Sequence, residues 1–279
     1  MEESVASARP LAPPSELGTM GRRIASSLVL MPIAGAAIWF GSPWIVLAVA
    51  VVAALMTWEW GRLTGRARGP ADVALMVAVA FLPVVLGGIV AVRWGLIAAA
   101  VLILGQQAVA RQDAGRTAWT IGGLCWIVLP CIAFVWLRGL TLAADGEDGF
   151  TVVVLIVTVV WSVDIAAFIC GRLIGGPKLA PALSPKKTWA GLVGGIVAAM
   201  AASWVLTRYI PFQSPYTVIL GSGGLAVVEQ MGDMAESYAK RRFGVKDSGG
   251  LIPGHGGMLD RLDGMLAVVA AMFLIVVSR

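Results

Sequence analysis

The sequence predicts an all-α, polytopic integral membrane protein of about nine transmembrane helices, with its N-terminus in the cytoplasm. Three observations predict this. Hydrophobic residues make up 58% of the 279 residues and charged residues only 13%, with a mean hydropathy of +0.86, well outside soluble usage. Apolar segments of roughly 20 residues, the length of one bilayer crossing, recur along the chain. Lys and Arg gather on alternate sides of those segments, as they do in membrane proteins. This composition excludes an ordinary soluble domain. The net charge of +5 is accounted for by topology and by anionic lipid or nucleotide partners, with no nucleic acid.

In chain order, residues 1–20 are rich in Pro, Ser and Ala without an apolar period, and read as a disordered cytoplasmic tail. The predicted spans are 24–41, 43–60, 71–91, 94–110, 117–137, 150–170, 189–208, 216–240 and 259–278. Only Val92, Arg93 and Trp94 separate the third from the fourth. With nine spans and the N-terminus inside, Arg93, Arg138, Arg208 and Arg279 lie outside, and the other 17 of the 21 basic residues lie in the cytoplasm. The acidic Asp145, Glu147 and Asp148 fall outside, again as charge bias requires. Cys125, Cys131 and Cys170 lie within apolar runs. Their odd number and placement argue for reduced structural thiols over a disulfide framework or a metal site. No inverted repeat of the transporter kind is visible.

The polar chemistry concentrates between Ser237 and Asp263, a cytoplasmic stretch with six glycines from Gly244 to Gly257 and the only histidine, His255. Irregular backbone at a membrane must be solvated or buried against protein, so packing alone gives no reason for such a loop. In the span before it, Glu229, Asp233 and Ser237 recur at i, i+4 and i+8 and form one helical stripe. Paired carboxylates at that spacing repel, and near lipid a bound cation relieves the cost. The alternative is an ordinary Glu236–Lys240 helix pair with Asp233 facing water. Across the loop, Asp260 and Asp263 share a face at the start of the last span, where acidic residues also suit a helix N-terminus. Three carboxylates without His or Cys suit a hard ion such as Mg²⁺. His255, among flexible neighbours, suits a phosphate contact or a general acid.

A second polar stretch is Ser184-Pro185-Lys186-Lys187-Thr188-Trp189-Ala190-Gly191. Ser184 followed by Pro185 predicts an N-cap and a first helical residue. Lys186 and Lys187 then occupy the first turn, where cations oppose the helix dipole unless an anion docks there. Positive-inside anchoring, with Trp189 in the interfacial belt, explains the same residues more simply. Upstream, Asp164 is a further intramembrane carboxylate, about two turns before Gly171-Arg172.

Together, Ser237-x-x-Lys240-Arg241, Lys246-Asp247, Pro253-x-His255-Gly256-Gly257 and Asp260-Arg261-x-Asp263 resemble the signature of the phosphatidate cytidylyltransferase (CDP-diacylglycerol synthase) family. The stretch 184–191, the Gly232-Asp233 pair and Asp164 to Arg172 are similar too, so the resemblance covers residues 161–267. Ala239 departs from the family's larger aliphatic residue there, which touches packing and not charge. The first 110 residues resemble the family only as hydrophobic spans. The resemblance implies transfer of CMP from CTP to phosphatidate, with Mg²⁺, at a cell-membrane site facing the cytoplasm. It implies metal ligation by Asp233, Asp260, Asp263 and Asp164, with Ser237 and His255 in the catalytic set. Substrate binding would fall to Ser184, Lys186, Lys187, Thr188, Arg172, Lys240, Arg241, Lys246, Asp247 and Arg261. It leaves room for a monovalent cation beside Mg²⁺ and for a homodimer. The chain then divides into the tail (1–20), N-terminal transmembrane helices (21–140) and a C-terminal catalytic region (141–279).

Three rivals remain. A cation-coupled transporter could use Asp164, Glu229 and Asp233 as an ion path, but leaves the cationic glycine-rich loop unexplained. An alcohol phosphatidyltransferase is weakened because Met265 to Val277 carries no charge. A related CTP-dependent lipid kinase is the rival that the sequence excludes least firmly.

Overall fold

The structure, a computed structural model, describes residues 16–109, 114–140, 148–252 and 256–278. Within them the chain forms helices α1 (Glu16–Phe40), α2 (Trp44–Leu63), α3 (Pro70–Ile89), α4 (Val92–Val109), α5 (Ala114–Arg138) and α6 (Gly149–Leu173). A short hairpin, β1 (Lys178–Ala180) and β2 (Ser184–Thr188), precedes α7 (Trp189–Tyr209), α8 (Pro215–Arg242) and α9 (Leu259–Val277). The prediction of an all-α membrane protein therefore holds apart from that hairpin.

Five helices, α2, α3, α5, α6 and α7, are long and apolar enough to cross a membrane by length and composition. The apolar stretches Leu28–Phe40 in α1 and Val92–Gln107 in α4 are shorter. The 28 residues of α8 and 19 of α9 also reach bilayer length, but these two helices carry the charges expected to do chemistry. Residues 92–94 begin α4 and do not form a separate connection; only Val90 and Ala91 join α3 to α4. Outward faces keep apolar side chains, among them Leu82, Val101, Leu104, Ile165, Phe168 and Val197, as helices surrounded by lipid do.

Two buried clusters form the interior. The first packs Met56 and Trp60 of α2 with Met76 of α3 and Leu124 and Ile127 of α5. The second packs Ile156, Val159 and Val163 of α6 with Ala199 of α7, Ala226 of α8 and Val268 of α9. Two helices knit the clusters together. Ile127 and Val128 of α5 face the first while Ala133 and Leu137 face the second, and Leu266 and Val268 divide α9 in the same way. Polar contacts reinforce the joints. Buried Arg66 pairs with Asp72 across the α2–α3 connection, and Asp148 Oδ1 accepts the Thr151 N–H at 2.8 Å to cap α6.

The segment 184–188 departs from expectation. Ser184 does not cap a helix and Lys186 and Lys187 do not fill a first turn; they lie on β2, where Lys178 pairs with Thr188 and Ala180 with Ser184. The chain enters the hairpin through Gly175 and Gly176, with φ of +67° and +89°, which a side-chain-bearing residue would resist. That reversal sets Lys178–Ala180 opposite 184–188, and the ladder satisfies backbone groups that a helix beginning at Pro185 would have needed to cap. The helix begins four residues later. Thr188 is its N-cap, its Oγ1 accepting the Gly191 N–H at 3.1 Å.

One contact inside the first cluster is unusually close. Trp60 donates its indole N–H to the Trp119 carbonyl at 3.1 Å. A Cβ placed at Gly123 would lie 1.8 Å from that ring. Gly123→Ala is therefore expected to lower stability by about 1–3 kcal/mol, the usual cost of overpacking. Gly122→Ala, whose Cβ meets nothing within 4 Å, should be neutral or stabilising because alanine favours the helix. Thermal unfolding of both variants in the same detergent checks the pair; equal melting temperatures would contradict the packing described.

Candidate active site

The hairpin packs against α6 and α7, and the charged residues meet where its Lys187 reaches α8 beside α6 and α9. On α8 the four-residue period delivers Glu229, Asp233 and Ser237 along one stripe, and Ser237 Oγ donates to Asp233 Oδ1 at 3.4 Å. Glu229 is 2% exposed and accepts the Gln230 side-chain amide at 2.7 Å. Two glycines bring α9 against this stripe. A Cβ at Gly232 would lie 2.6 Å from Ala267 Cβ, and one at Gly264 would lie 2.6 Å from Glu229 Oε1. Small residues allow such approach between membrane helices. They explain why a glycine precedes Asp233 and another follows Asp263. Asp263 of α9 thus comes beside Asp233 and Glu236, and Asp164 of α6 comes beside Glu229 and Asp233.

Two lysines enter this acidic cleft. On β2 Lys186 is exposed and Lys187 half-buried, and Lys187 Nζ reaches Asp233 Oδ2 at 2.6 Å. Lys240 Nζ lies 2.5 Å from Glu236 Oε2 on its own helix and 2.7 Å from Asp260 Oδ1 on α9. The ordinary Glu236–Lys240 helix pair weighed from sequence is therefore present, while Asp233 faces a lysine and not only water. Neither Glu236 oxygen nor Lys187 Nζ has an aligned hydrogen bond, so both rely on ion pairing. Arg261 is within electrostatic reach of Asp164.

The remaining expected site residues are distributed more widely. Asp260 has partners of its own in this structure. Its Oδ1 faces Lys240, Oδ2 accepts the Gly257 N–H at 2.9 Å, and the Ser248 N–H contacts both oxygens at 3.1 and 3.0 Å. Its carboxylate is engaged in shaping the loop. Thr188 is buried and its hydroxyl is used by the α7 cap, so helix start and not substrate contact explains it here. Ser184 is half-buried in the hairpin. Arg172 is exposed at the end of α6, its guanidinium 6.0 Å from the Phe168 ring centre. Arg241 donates to the Val245 carbonyl at 3.4 Å, and Lys246 and Asp247 are exposed on the loop. His255 lies outside the described residues.

One residue was missed. Glu59 of α2, 2% exposed, accepts the backbone N–H of Met258 at 3.0 Å and of Leu259 at 2.9 Å, and the Ser248 hydroxyl at 3.3 Å. The signal was available, since a carboxylate between Trp58 and Trp60 in an apolar span is a functional candidate by default.

Among the described residues no three His, Cys, Asp or Glu side chains converge as a ready-made metal cage. The donor set nevertheless suits Mg²⁺. Asp164, Glu229, Asp233, Glu236 and Asp263 supply only hard oxygen donors, outnumber Lys187 and Lys240, and include buried oxygens without hydrogen bonds. Next to the cleft lies an apolar cavity of about 540 Å³ between α1, α2, α5, α6 and α9. Leu262, Met265 and Leu266 line it, so the turn of α9 that presents Asp263 to the cleft presents its neighbours to the cavity.

Removing the Lys240 charge leaves Glu236 and Asp260, whose side chains are 2% and 10% exposed, without their counterion. Lys240→Met is expected to cost about 3–5 kcal/mol of stability, the scale for orphaning a buried charge. Lys246→Met, on the exposed loop, should stay within about 0.5 kcal/mol of the parent. Thermal unfolding of both in one detergent tests this, and similar melting temperatures would show that Lys240 is not holding a buried pair.

Relatives fit this arrangement. A sequence profile of the Cytidylyltransferase family matches residues 21–278. A phosphatidate cytidylyltransferase of Brucella suis is 35% identical over 263 residues, covering 92% of this chain and 93% of its own. One from Pseudomonas aeruginosa is 34% identical over 260 residues, covering 89% and 93%. Another, from Rickettsia bellii, is 44% identical over 131 residues, covering 44% of this chain and 56% of its own. The match runs through the N-terminal helices as well as the charged loops, and the chain belongs to the cytidylyltransferase family.

Proposed function

We propose that this protein transfers CMP from CTP to phosphatidate, producing CDP-diacylglycerol and pyrophosphate. The observation that carries the reading is a cleft of carboxylates and lysines directly beside an apolar cavity. A water-soluble nucleotide and a lipid phosphate need both environments at one place. In the reaction a phosphate oxygen of phosphatidate attacks the α-phosphorus of CTP. The bond from that phosphorus to the bridging α–β oxygen breaks, and pyrophosphate leaves with the electron pair. Asp233 and Asp263, with Asp164, are the residues that would hold Mg²⁺, which when bound neutralises phosphate charge and polarises the phosphoryl oxygens. Lys187, with Lys186, Arg172, Arg241, Lys246 and Arg261 at the rim, brings the two anions together against their mutual repulsion. Ser237 orients Asp233, while Lys240 and Asp260 hold the loop that carries Lys246. The acyl chains lie toward Leu262 and Met265.

This reading places the N-terminus and the cleft in the cytoplasm, where CTP is, with all nine helices crossing the bilayer. The 17-to-4 division of basic residues supports it. In a cysteine-free background, Lys246→Cys should label only after the membrane is permeabilised, and Asp145→Cys should label in intact cells. The reverse pattern would overturn the orientation.

The direct test of activity is product analysis with purified protein, phosphatidate and each of the four nucleoside triphosphates. Pyrophosphate should appear with CTP, fail to appear without lipid, vanish on chelation and return with Mg²⁺. Release of CDP in place of pyrophosphate would assign a lipid kinase. Equal turnover of ATP would sink the reading.

A further inference from the structure

The glycine-rich loop and the first turn of α9 are fastened from a distance of about two hundred residues in sequence. Met258 is the N-cap of α9 and its side chain makes no cap hydrogen bond, so the first N–H groups of the helix need acceptors from elsewhere. Glu59 provides them. Its Oε1 accepts the Met258 N–H at 3.0 Å and its Oε2 accepts the Leu259 N–H at 2.9 Å. Oε2 also takes the Ser248 hydroxyl at 3.3 Å, while the Ser248 N–H is held by Asp260 at 3.0 Å. Ser248 is thus gripped at both ends, by a carboxylate of α2 and a carboxylate of α9. The loop is shaped around the same group. A Cβ at Gly249 would lie 2.6 Å from Glu59 Oε1, and one at Gly257 would lie 2.8 Å from Oε2. A carboxylate facing helix N–H groups is also favoured by the helix dipole.

We infer that Glu59 is a positioning residue for the reaction: from α2 it fixes Ser248, Gly249 and Gly257 of the loop and the start of α9, and so helps set where Asp260, Lys240 and Asp263 stand. It touches no reacting atom. Its contacts with Ser248, Met258 and Leu259 adjoin Asp260, which is paired with Lys240. Simple helix capping would serve stability alone. The bonds to Ser248 and the fit of Gly249 against the carboxylate extend the grip to the loop that carries Lys246 and Asp247.

For its kinetic readout the inference rests on the proposed use of CTP. Glu59→Gln keeps the shape but replaces one acceptor with a donor facing backbone N–H groups. It should raise the KM for CTP at least about tenfold and lower kcat, the usual size of an outer-shell or misplacement effect, with the KM for phosphatidate changing less than about twofold. Hydrogen–deuterium exchange across residues 248–260 should quicken in the same variant. Gly249→Ala should produce the same kinetic change from the loop side. Combined with Glu59→Asp, whose shorter side chain makes room for the methyl group, it should cost much less than the product of the two single effects. Unchanged CTP kinetics in folded Glu59→Gln would overturn the inference, as would multiplicative losses in the double variant. Where Glu59→Gln does not accumulate, wild-type kinetics and exchange in Gly249→Ala would overturn it alone. A parent protein that releases no pyrophosphate from CTP would refute the reaction instead, and faster exchange in the variants would then still support the clamp.

Discussion

A single ammonium, Lys240 Nζ, lies between Glu236 on α8 and Asp260 on α9, 2.5 and 2.7 Å from their oxygens. Two buried carboxylates on adjacent helices would otherwise repel and lose their hydration. With the lysine between them, the helices cross closely enough for Gly232 to meet Ala267 and for Gly264 to meet Glu229. That crossing sets Asp263 beside Asp233. Asp260, held by Lys240, orders the loop through Ser248 and Gly257. The position of the acidic cleft follows from this bridge, and the loop and the start of α9 are held by it jointly with Glu59.

The excess of negative charge is the cleft's second property. Lys187 approaches Asp233 from a hairpin and not from a helix. On β2 Lys187 is half-buried and committed to the cleft, while Lys186 is left exposed at the rim.

Most of the fold was legible because bilayer-length apolar runs and charge bias are properties of composition, which tertiary packing does not alter. The α8 stripe was legible because Glu229, Asp233 and Ser237 repeat with the helical period. The hairpin was not. Ser184-Pro185 carries a strong local signal for a helix start, and the pairing of 184–188 with 178–180 overrode it, a contact that no local pattern encodes. The partners of Asp260 were not legible for a related reason. The i,i+3 spacing of Asp260 and Asp263 gives them one general face, but Asp260 turns to Lys240 and the loop amides. Glu59 carried a signal as a carboxylate in an apolar span, but what it holds was not legible, because its partners are mainly backbone N–H groups and a backbone donor leaves no mark in a sequence.

Glu59 also changes what the N-terminal helices are for. Read as sequence, the first 110 residues are hydrophobic spans and nothing more. In the structure α2 contributes Met56 to the wall of the apolar cavity and, less than one turn later, Glu59 to the loop beside the acidic cleft. Helix α9 repeats the arrangement with Leu262 on the cavity and Asp263 in the cleft. Both helices therefore touch the apolar and the polar chamber within one turn. A transferase joining a nucleotide to a lipid phosphate needs such a boundary, because the reacting oxygen belongs to a molecule whose other end stays in hydrocarbon. Helices that run from lipid to water supply the boundary directly, and the two carboxylates, Glu59 and Asp263, lie on its polar side. The N-terminal bundle is then part of the site's support, which agrees with relatives whose similarity covers 92% of the chain and not the charged loops alone.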